Sequence, residues 1–296
     1  MNLSKNNSLV LLHIIIVIWG FTGILGKLID LNSIALVWNR MTIAFIALLT
    51  VNQFRKLNTK LNSKHIAYYC FIGLIIALHW ICFFEAIKLS TVSLALICLS
   101  SISLFTAILE PIIQKKKILT YEIGLSILVI IGIAIVFKYE RNFSEAIFLS
   151  IISAFFAALF TVLNHELIQK KHQALSITTW EMFGGAFAIT IYLVSRGQFD
   201  TSVLPNKNDI IYIAILALIC TAFAFYASIE VMKKITPFTV NLSVNLEPIY
   251  SIILAIIIFG EEEKMSIEFY VGSIIIISSI LVNTIIKERI PLKELK

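Results

Sequence analysis

Long apolar stretches alternate with short polar segments along almost the whole chain. A membrane-spanning helix needs about 20 consecutive, mostly apolar residues, and ten stretches approach or reach that length. Because the polar segments between them are short, neighbouring helices are expected to run antiparallel. The predicted spans are residues 9–29, 33–51, 66–87, 92–113, 120–137, 145–164, 175–195, 209–232, 236–259 and 268–286.

The composition agrees with this pattern of apolar stretches. The chain is 59% hydrophobic and 14% charged, with a mean hydropathy of +0.93. Soluble domains are typically about 45–50% apolar and about 25% charged, so an ordinary soluble fold is excluded. A bilayer solvates outward-facing apolar side chains, whereas water does not. We therefore predict an all-α integral membrane protein with ten transmembrane helices.

The positive charges indicate an orientation in the membrane. With the N-terminus in the cytoplasm, the cytoplasmic segments hold 16 of the 24 Lys and Arg residues and the opposite side holds 7, while Arg40 lies within a span. Cytoplasmic loops are enriched in Lys and Arg. We therefore interpret the net charge of +6 as a consequence of the orientation in the membrane and not as a surface that binds nucleic acid. We expect a multi-pass protein of the cell membrane, inner or plasma, with both termini cytoplasmic.

The two halves of the chain resemble each other. Residues 83–87 resemble residues 225–229 in the third predicted span of each half, and residues 121–124 resemble residues 269–272 in the fifth. A repeat with an odd number of spans reverses its orientation in the second copy. The sequence therefore predicts two inverted five-helix repeats, residues 1–140 and residues 141–296.

Ionisable residues inside a span are costly and usually face a cavity or a partner. Glu247 lies about halfway along its predicted span, with Asn241 and Asn245 on the preceding turns and Pro248 directly after it. Proline tends to kink a helix, so this carboxyl is predicted to form a solute or proton site. The alternative is a hydrogen-bonded glutamate that fixes helix packing.

Other polar and aromatic residues extend this set. Arg40 and Glu181 occupy matching places in the two halves, where each is interpreted as a gate or a solute contact, or as a side chain that snorkels to the interface. His79 lies mid-span and is expected either to handle protons or solute or to be a packed, hydrogen-bonded residue. Further predicted lining residues, if they do not belong to the interfacial aromatic belt, are Trp80, Trp19, Asn39, Trp180 and Tyr226.

Glu110 and residues 261–263 are expected to have structural roles. Glu110 lies close to Lys115 near the end of a predicted span and is interpreted as part of an interfacial ion pair. Residues 261–263 are three consecutive glutamates in a short connection, which is typical of a solvated loop.

Motifs for enzymatic chemistry are not found in the sequence. There is no phosphate-binding GxxxxGK[ST] loop, HExxH or GxSxG motif, which argues against ATP-driven pumping or hydrolysis. The four cysteines lie inside apolar runs without the spacing of a metal site. No enzymatic activity, cofactor or metal is therefore expected.

Several sequence features together resemble the EamA-like permeases of the drug/metabolite transporter superfamily. They are Trp19-Gly20, residues 79–84 running into 86–88 and 90–93, and residues 245–248 followed by 259–261. The first half departs from the pattern, since Lys115-Lys116-Lys117 stands where the second half has Gly260-Glu261. The resemblance implies a permease of five plus five helices with a central solute site between the halves.

The expected function is that of a secondary transporter or facilitator. Its partners would be the lipid bilayer, a small-molecule solute such as an amino acid or a drug-like compound, and protons as a coupling ion. Two alternatives stay open at this point. A membrane-embedded enzyme would need acid–base or metal-binding residues gathered at one interface, and a non-transporting scaffold would have a solid centre between the halves.

Overall fold

A computed structural model describes residues 4–54, 62–115, 120–244 and 246–289. All regular structure in this described part of the chain is helical, which agrees with the predicted all-α class. Three single-turn 3₁₀ helices accompany the α-helices. The α-helices are α1 (Lys5–Leu28), α2 (Ser33–Phe54), α3 (Ser63–Leu89), α4 (Val92–Leu99), α5 (Ile102–Gln114), α6 (Thr120–Tyr139), α7 (Ser144–Gln169), α8 (Ala174–Ser195), α9 (Asp209–Ala217), α10 (Ala224–Val231), α11 (Pro237–Val244), α12 (Glu247–Phe259) and α13 (Ile267–Arg289).

Seven helical segments of the described residues are long and apolar enough to cross a bilayer. The other three predicted spans are also helical, in α6, in α11 with α12, and in α13, so the count of ten transmembrane helices stays a prediction. The seven segments are Asn6–Leu28, Ser33–Phe54, Ser63–Leu89, Val92–Gln114, Arg141–Gln169, Ala174–Ser195 and Asp209–Val231.

Two predicted spans are broken helices. In the fourth span, α4 ends at Leu99 and α5 starts at Ile102, and the hydroxyl of Ser101 donates to the Cys98 carbonyl at 2.8 Å. Serine hydroxyls that bond back to the helix backbone favour bends. In the ninth span, α12 begins at Glu247 and Pro248 lies in its first turn, where a missing N–H costs nothing. The predicted proline kink is therefore corrected to the start of a new helix.

A wider helical turn interrupts the eighth span. Leu218–Phe223, between α9 and α10, is a π-helical segment. The hydroxyl of Thr221 donates to the carbonyl of Leu216, five residues earlier, at 2.7 Å. Such π-bulges are frequent at functional sites, and this one directs the Thr221 hydroxyl into the interior.

Helix α3 lies at the centre of the packing and contacts both α7 and α8. Its crossing with α8 is very close, because a Cβ atom added to Gly73 would lie 2.0 Å from the Glu181 carbonyl oxygen and one added to Gly184 would lie 2.3 Å from the Cα of Cys70. Elsewhere α1 packs on α10 and α12, α4 on α12, α5 on α7, and α6 on α13.

The outer surface carries many large apolar side chains. A water-soluble monomer rarely exposes contiguous apolar patches of this kind, whereas lipid-facing helices require them. Examples on the outer helices are Ile127, Ile130 and Ile131 of α6, Ile253, Ile256 and Ile257 of α12, and Ile274 of α13.

Glu263 is a correction to the predicted solvated loop. Its side chain is fully buried, and its carboxylate accepts hydrogen bonds from the backbone N–H groups of Val92 and Ser93, both at 3.0 Å, and from the Ser93 hydroxyl at 2.7 Å. Lys27, at the end of α1, pairs with it at 3.0 Å. Glu263 therefore caps the N-terminus of α4 and joins it to the segment after α12.

Glu110 makes a similar carboxylate contact at the other end of the two broken spans. It is buried in α5, and its carboxylate accepts a hydrogen bond from the backbone N–H of Phe238 in the first turn of α11 at 3.0 Å. A carboxylate at a helix N-terminus satisfies a free N–H group and complements the helix dipole. The broken spans α4–α5 and α11–α12 are thus joined by one buried carboxylate at each end. We call the contact of Glu263 with Val92, Ser93 and Lys27 the clasp.

Candidate functional site

A cavity of about 70 Å³ lies between the two halves of the chain. It has room for a few water molecules, since one water needs about 10–15 Å³ on this measure. Both halves supply lining residues. They are Trp19, Thr22, Arg40, His79, Trp80, Phe83, Leu99 and Ile102 from the first half, and Ala157, Phe160, Thr161, Asn164, Phe225, Ser228, Ile229, Met232, Val240, Asn241, Val244 and Glu247 from the second.

Arg40 supplies the positive charge of the cavity. It lies on α2 with 1% of its surface exposed, and its Nε donates to the hydroxyl of Thr221 at 2.5 Å. The guanidinium carbon lies 3.8 Å above the ring centroid of Trp80, in cation–π geometry. One terminal nitrogen has no hydrogen-bond partner among the described residues. Arg40, which lines the cavity, therefore retains an N–H donor with the capacity to bind an anionic group.

Glu247 supplies an acidic group to the same cavity. It is the first residue of α12, is 6% exposed and lines the same cavity as Arg40. The position at a helix N-terminus favours a carboxylate. The two side chains act on each other electrostatically but form no direct ion pair within the described part of the chain. A guanidinium donor and an acidic group thus border one small space without a direct ion pair between them.

Amide side chains add uncharged polar groups to the lining. Asn241 lies one turn before the break between α11 and α12, is 2% exposed and donates from its Nδ2 to the hydroxyl of Thr106 at 2.8 Å. Asn164 on α7 is fully buried, and neither its side-chain oxygen nor its nitrogen has a hydrogen-bond partner within the described residues. Buried polar groups normally have a partner, so Asn164 retains binding capacity.

His79 is fixed by a serine of α7. The Ser153 hydroxyl donates to the backbone carbonyl of His79 at 2.9 Å, and Nδ1 of His79 lies 2.9 Å from the Ser153 backbone carbonyl. A carbonyl only accepts, so this geometry assigns the proton to Nδ1 and leaves Nε2 available. The imidazole ring also packs against Phe83 and Phe160. His79 is therefore both a packed, hydrogen-bonded residue and a lining residue.

Aromatic rings form the apolar part of the wall. Phe225 lies with its ring centroid 5.8 Å from Trp80 and 5.6 Å from Phe160. The indole N–H of Trp19 donates to the Cys220 carbonyl at 3.1 Å, which fixes its ring at the edge of the π-helical segment. The wall therefore offers an apolar surface to a ligand.

The comparisons with known proteins assign the chain to a family. The model of the EamA-like transporter family matches residues 7–138 and again residues 144–285. The chain belongs to the EamA-like transporter family. The resemblance seen in the sequence is thereby confirmed, and this member of a transporter family is a multi-pass membrane protein whose two matched segments meet at the cavity.

A solved crystal structure of another protein is similar to this EamA-like chain with a TM-score of 0.72 and 13% sequence identity. The similarity covers 97% of this chain and 100% of the other. At this identity it shows a shared fold and nothing about the solute. No curated protein matches the chain.

The structure brings six of the predicted site residues of this EamA-like protein into the cavity lining. The predicted residue Asn245 lies outside the described residues. The six residues are Glu247, Asn241, His79, Trp80, Arg40 and Trp19.

Four other predicted site residues are not among the residues that line this cavity, and their predicted contact with a solute stays a prediction. Asn39 is satisfied by the backbone carbonyls of Ala35 and Val203, at 2.8 and 2.7 Å. Trp180 packs edge-on against Phe183 of its own helix. Tyr226 follows Phe225 and therefore points about 100° away from it around α10. Glu181 is fully buried on α8, behind the cavity wall.

Other lining residues were missed by the sequence reading. The predicted span ended at Asn164, whereas α7 continues to Gln169, so this amide lies deeper than expected. Thr161 precedes it on the same helix, and Phe160, Phe225 and Ser228 also line the cavity. The one usable signal was an asparagine inside an extended apolar run, because a buried amide needs partners.

Proposed function

We propose that this EamA-like protein is a secondary transporter or facilitator that moves a small metabolite across the cytoplasmic membrane. In this proposal ten helices form two inverted five-helix repeats, residues 1–140 and 141–296, with both termini in the cytoplasm. The charge bias of the loops and the double match to the transporter family support it.

The observation that carries the proposal is the cavity shared by Arg40 and Glu247. Keeping a charge away from water is costly unless it is paired, and these two buried groups have no direct ion pair with each other in the part of the chain that is described. A solute that contacts both would satisfy them together. A solid, packed centre would have favoured a scaffold instead.

The chemistry of the lining favours a zwitterion with an apolar side chain. The unpaired N–H of Arg40 is suited to a carboxylate, and Glu247 is suited to an ammonium group. The rings of Trp80, Phe160 and Phe225 offer an apolar surface to the rest of the molecule. An α-amino acid combines these three features. A drug-like amphipathic solute shares the apolar group but uses only one of the two charges.

Alternating access requires the cavity to widen toward each side in turn. A space of about 70 Å³ holds a few water molecules, so a metabolite needs the lining helices to separate. The two helix breaks border this space, because Leu99 and Ile102 flank one and Val244 and Glu247 flank the other. Broken helices at a central site are typical of transporters built from repeats.

Energy for uphill movement would come from a gradient of an ion or a second solute. The sequence holds no phosphate-binding loop for ATP. We propose protons as the coupling ion, because buried carboxyl groups border or adjoin the cavity.

Counterflow in liposomes tests this proposal. Purified protein would be reconstituted in liposomes loaded with unlabelled L-leucine or L-phenylalanine, and the entry of the labelled amino acid would be measured. We expect more than tenfold slower exchange in Arg40→Gln and in Glu247→Gln. Glu261→Gln is the control, since Glu261 is exposed in a short connection.

Charged and uncharged probes define the failing outcome. Glycerol lacks both charges, whereas L-glutamate and L-lysine carry an additional charge that would face the aromatic wall, so all three should exchange slowly. If neither a zwitterionic amino acid nor any member of a wider metabolite and dye panel exchanges, transport by this chain is refuted. If exchange is rapid but unaffected by both substitutions, transport stands and the assigned solute site is wrong.

A further inference from the structure

Glu181 forms a second buried acidic position, outside the cavity lining. It lies seven residues into α8, about 10 Å along the helix axis from Ala174, and none of its surface is exposed. Neither carboxyl oxygen has a hydrogen-bond partner among the described residues. A fully buried carboxyl without a well-formed hydrogen bond, deep in a membrane protein, is costly to keep and is therefore a functional-site candidate.

Asn164 connects Glu181 to the central cavity. The Asn164 side chain lines the cavity and also interacts with the Glu181 carboxyl. Both side chains are fully buried, and neither makes a hydrogen bond of normal geometry. The amide therefore stands between a carboxyl group and the space where a solute would bind.

Polar side chains continue from Glu181 toward one end of the helices. Tyr69 on α3 is 1% exposed and interacts electrostatically with Glu181. The Tyr69 hydroxyl is hydrogen-bonded to Nδ1 of His172 in the connection between α7 and α8. The ring of exposed His65 lies 4.8 Å from that of His172. The path thus ends at the face that the charge bias assigns to the cytoplasm.

Other titratable groups near this part of the molecule are engaged elsewhere. Arg40 on α2 is held by Thr221 and Trp80, and His79 on α3 by Ser153. The remaining groups also have contacts of their own. They are Cys70 of α3 with the Trp180 carbonyl, His165 of α7 with Gln114 and Gln169, and Glu230 of α10 with Lys233.

We propose that Glu181 is a proton-binding site that communicates with the cavity through Asn164 and with the cytoplasmic face through Tyr69 and His172. Uptake of one proton converts the Glu181 carboxylate to a neutral carboxylic acid. When Tyr69 passes its hydroxyl proton inward, protonated His172 returns one to the Tyr69 oxygen, so the relay ends with both residues unchanged.

The surface end of this path suits proton exchange. Partial burial, with the neighbouring His65 and Lys170, lowers the pKa of His172. A neutral imidazole at neutral pH takes up a proton only briefly and releases it again. His172 is therefore suited to pass protons inward and not to store them.

Infrared titration tests proton binding without any solute. The carbonyl stretch of protonated carboxyl groups would be followed against pH in liposomes containing wild-type protein, Glu181→Gln, or Glu166→Gln as control. Glu166 pairs with Lys170 near the end of α7 at 2.6 Å. We expect a titrating component of this band in wild type and in the control that is absent in Glu181→Gln, while the components of other carboxyl groups remain. Persistence of the full band in Glu181→Gln would overturn the proposal.

A transport measurement tests the link to function, which rests on the proposed transport of a solute. In Glu181→Gln, counterflow of L-leucine at equal pH should continue, whereas its acceleration by an imposed pH gradient should disappear. Tyr69→Phe keeps the ring and should slow the gradient-driven uptake several-fold, which covers the case of an unfolded Glu181→Gln. Unchanged acceleration in both variants refutes the inference while transport stands. No flux in wild type refutes transport but leaves the infrared result decisive for proton binding.

Discussion

The clasp made by Glu263 gives the sharpest prediction for stability. Glu263→Ala removes a fully buried carboxylate that accepts three hydrogen bonds from Val92 and Ser93 and pairs with Lys27 at 3.0 Å. The substitution leaves two N–H groups of α4 uncapped and one lysine without this partner. It therefore acts on α1, α4 and the segment after α12 at once.

The magnitude follows from the burial of the partners. Removing one member of a buried ion pair costs about 3–5 kcal/mol, and losing a helix cap alone costs about 0.5–2 kcal/mol. Lys27 is 20% exposed and also contacts Glu262 at 3.3 Å, so its charge is partly relieved. We expect a loss near 3 kcal/mol, which is about a hundredfold change in the unfolding equilibrium.

Unfolding by SDS in mixed micelles, followed by far-ultraviolet circular dichroism, measures this loss. Glu261→Ala is the matched control, since Glu261 lies in the same connection but pairs with Lys264 on the surface. Exposed pairs contribute little, so this variant should unfold like wild type. Equal midpoints for Glu263→Ala and Glu261→Ala would show that the clasp does not stabilise the fold.

Two further predictions concern packing. Gly73→Ala should destabilise the protein by roughly 1–3 kcal/mol, because the new Cβ atom would lie 2.0 Å from the backbone of α8. Gly124→Ala is the control, since a Cβ atom added to Gly124 meets open space. In the same SDS titration, the Gly124→Ala variant should unfold at or above the wild-type midpoint. Thr221→Val removes the acceptor for Nε of Arg40 at 2.5 Å and should cost about 1–3 kcal/mol; an unchanged midpoint would mean that Arg40 finds another acceptor.

Hydropathy was sufficient to predict the helices, because lipid as a solvent imposes a simple length and composition rule. It did not predict the π-helical segment at Thr221 or the break after Leu99. Both depend on which carbonyl a hydroxyl side chain reaches, and the apolar pattern is the same in either case. Pro248 did mark an irregular position, although as a helix start and not as a kink.

The candidate site was predictable only for side chains that are costly to bury. Arg40 and Glu247 stood out because each is a charge inside a span, and both line the cavity. Glu263 was misread, because three consecutive glutamates look solvated and the contacts with Val92 and Ser93 lie 170 residues away in sequence. Phe160 and Phe225 gave no signal, since one apolar residue among many does not reveal which face points inward.

The glycine crossing of α3 and α8 joins one half of the chain to the other. With no side chain between the two backbones, a sliding motion would drive carbonyl groups into each other, and separation would expose peptide groups that hydrocarbon cannot hydrate. Rotation about the point of contact avoids both costs. In the proposed transport cycle, the crossing at Gly73 and Gly184 would therefore act as the pivot, and opening at one face of the molecule would be tied to closing at the other.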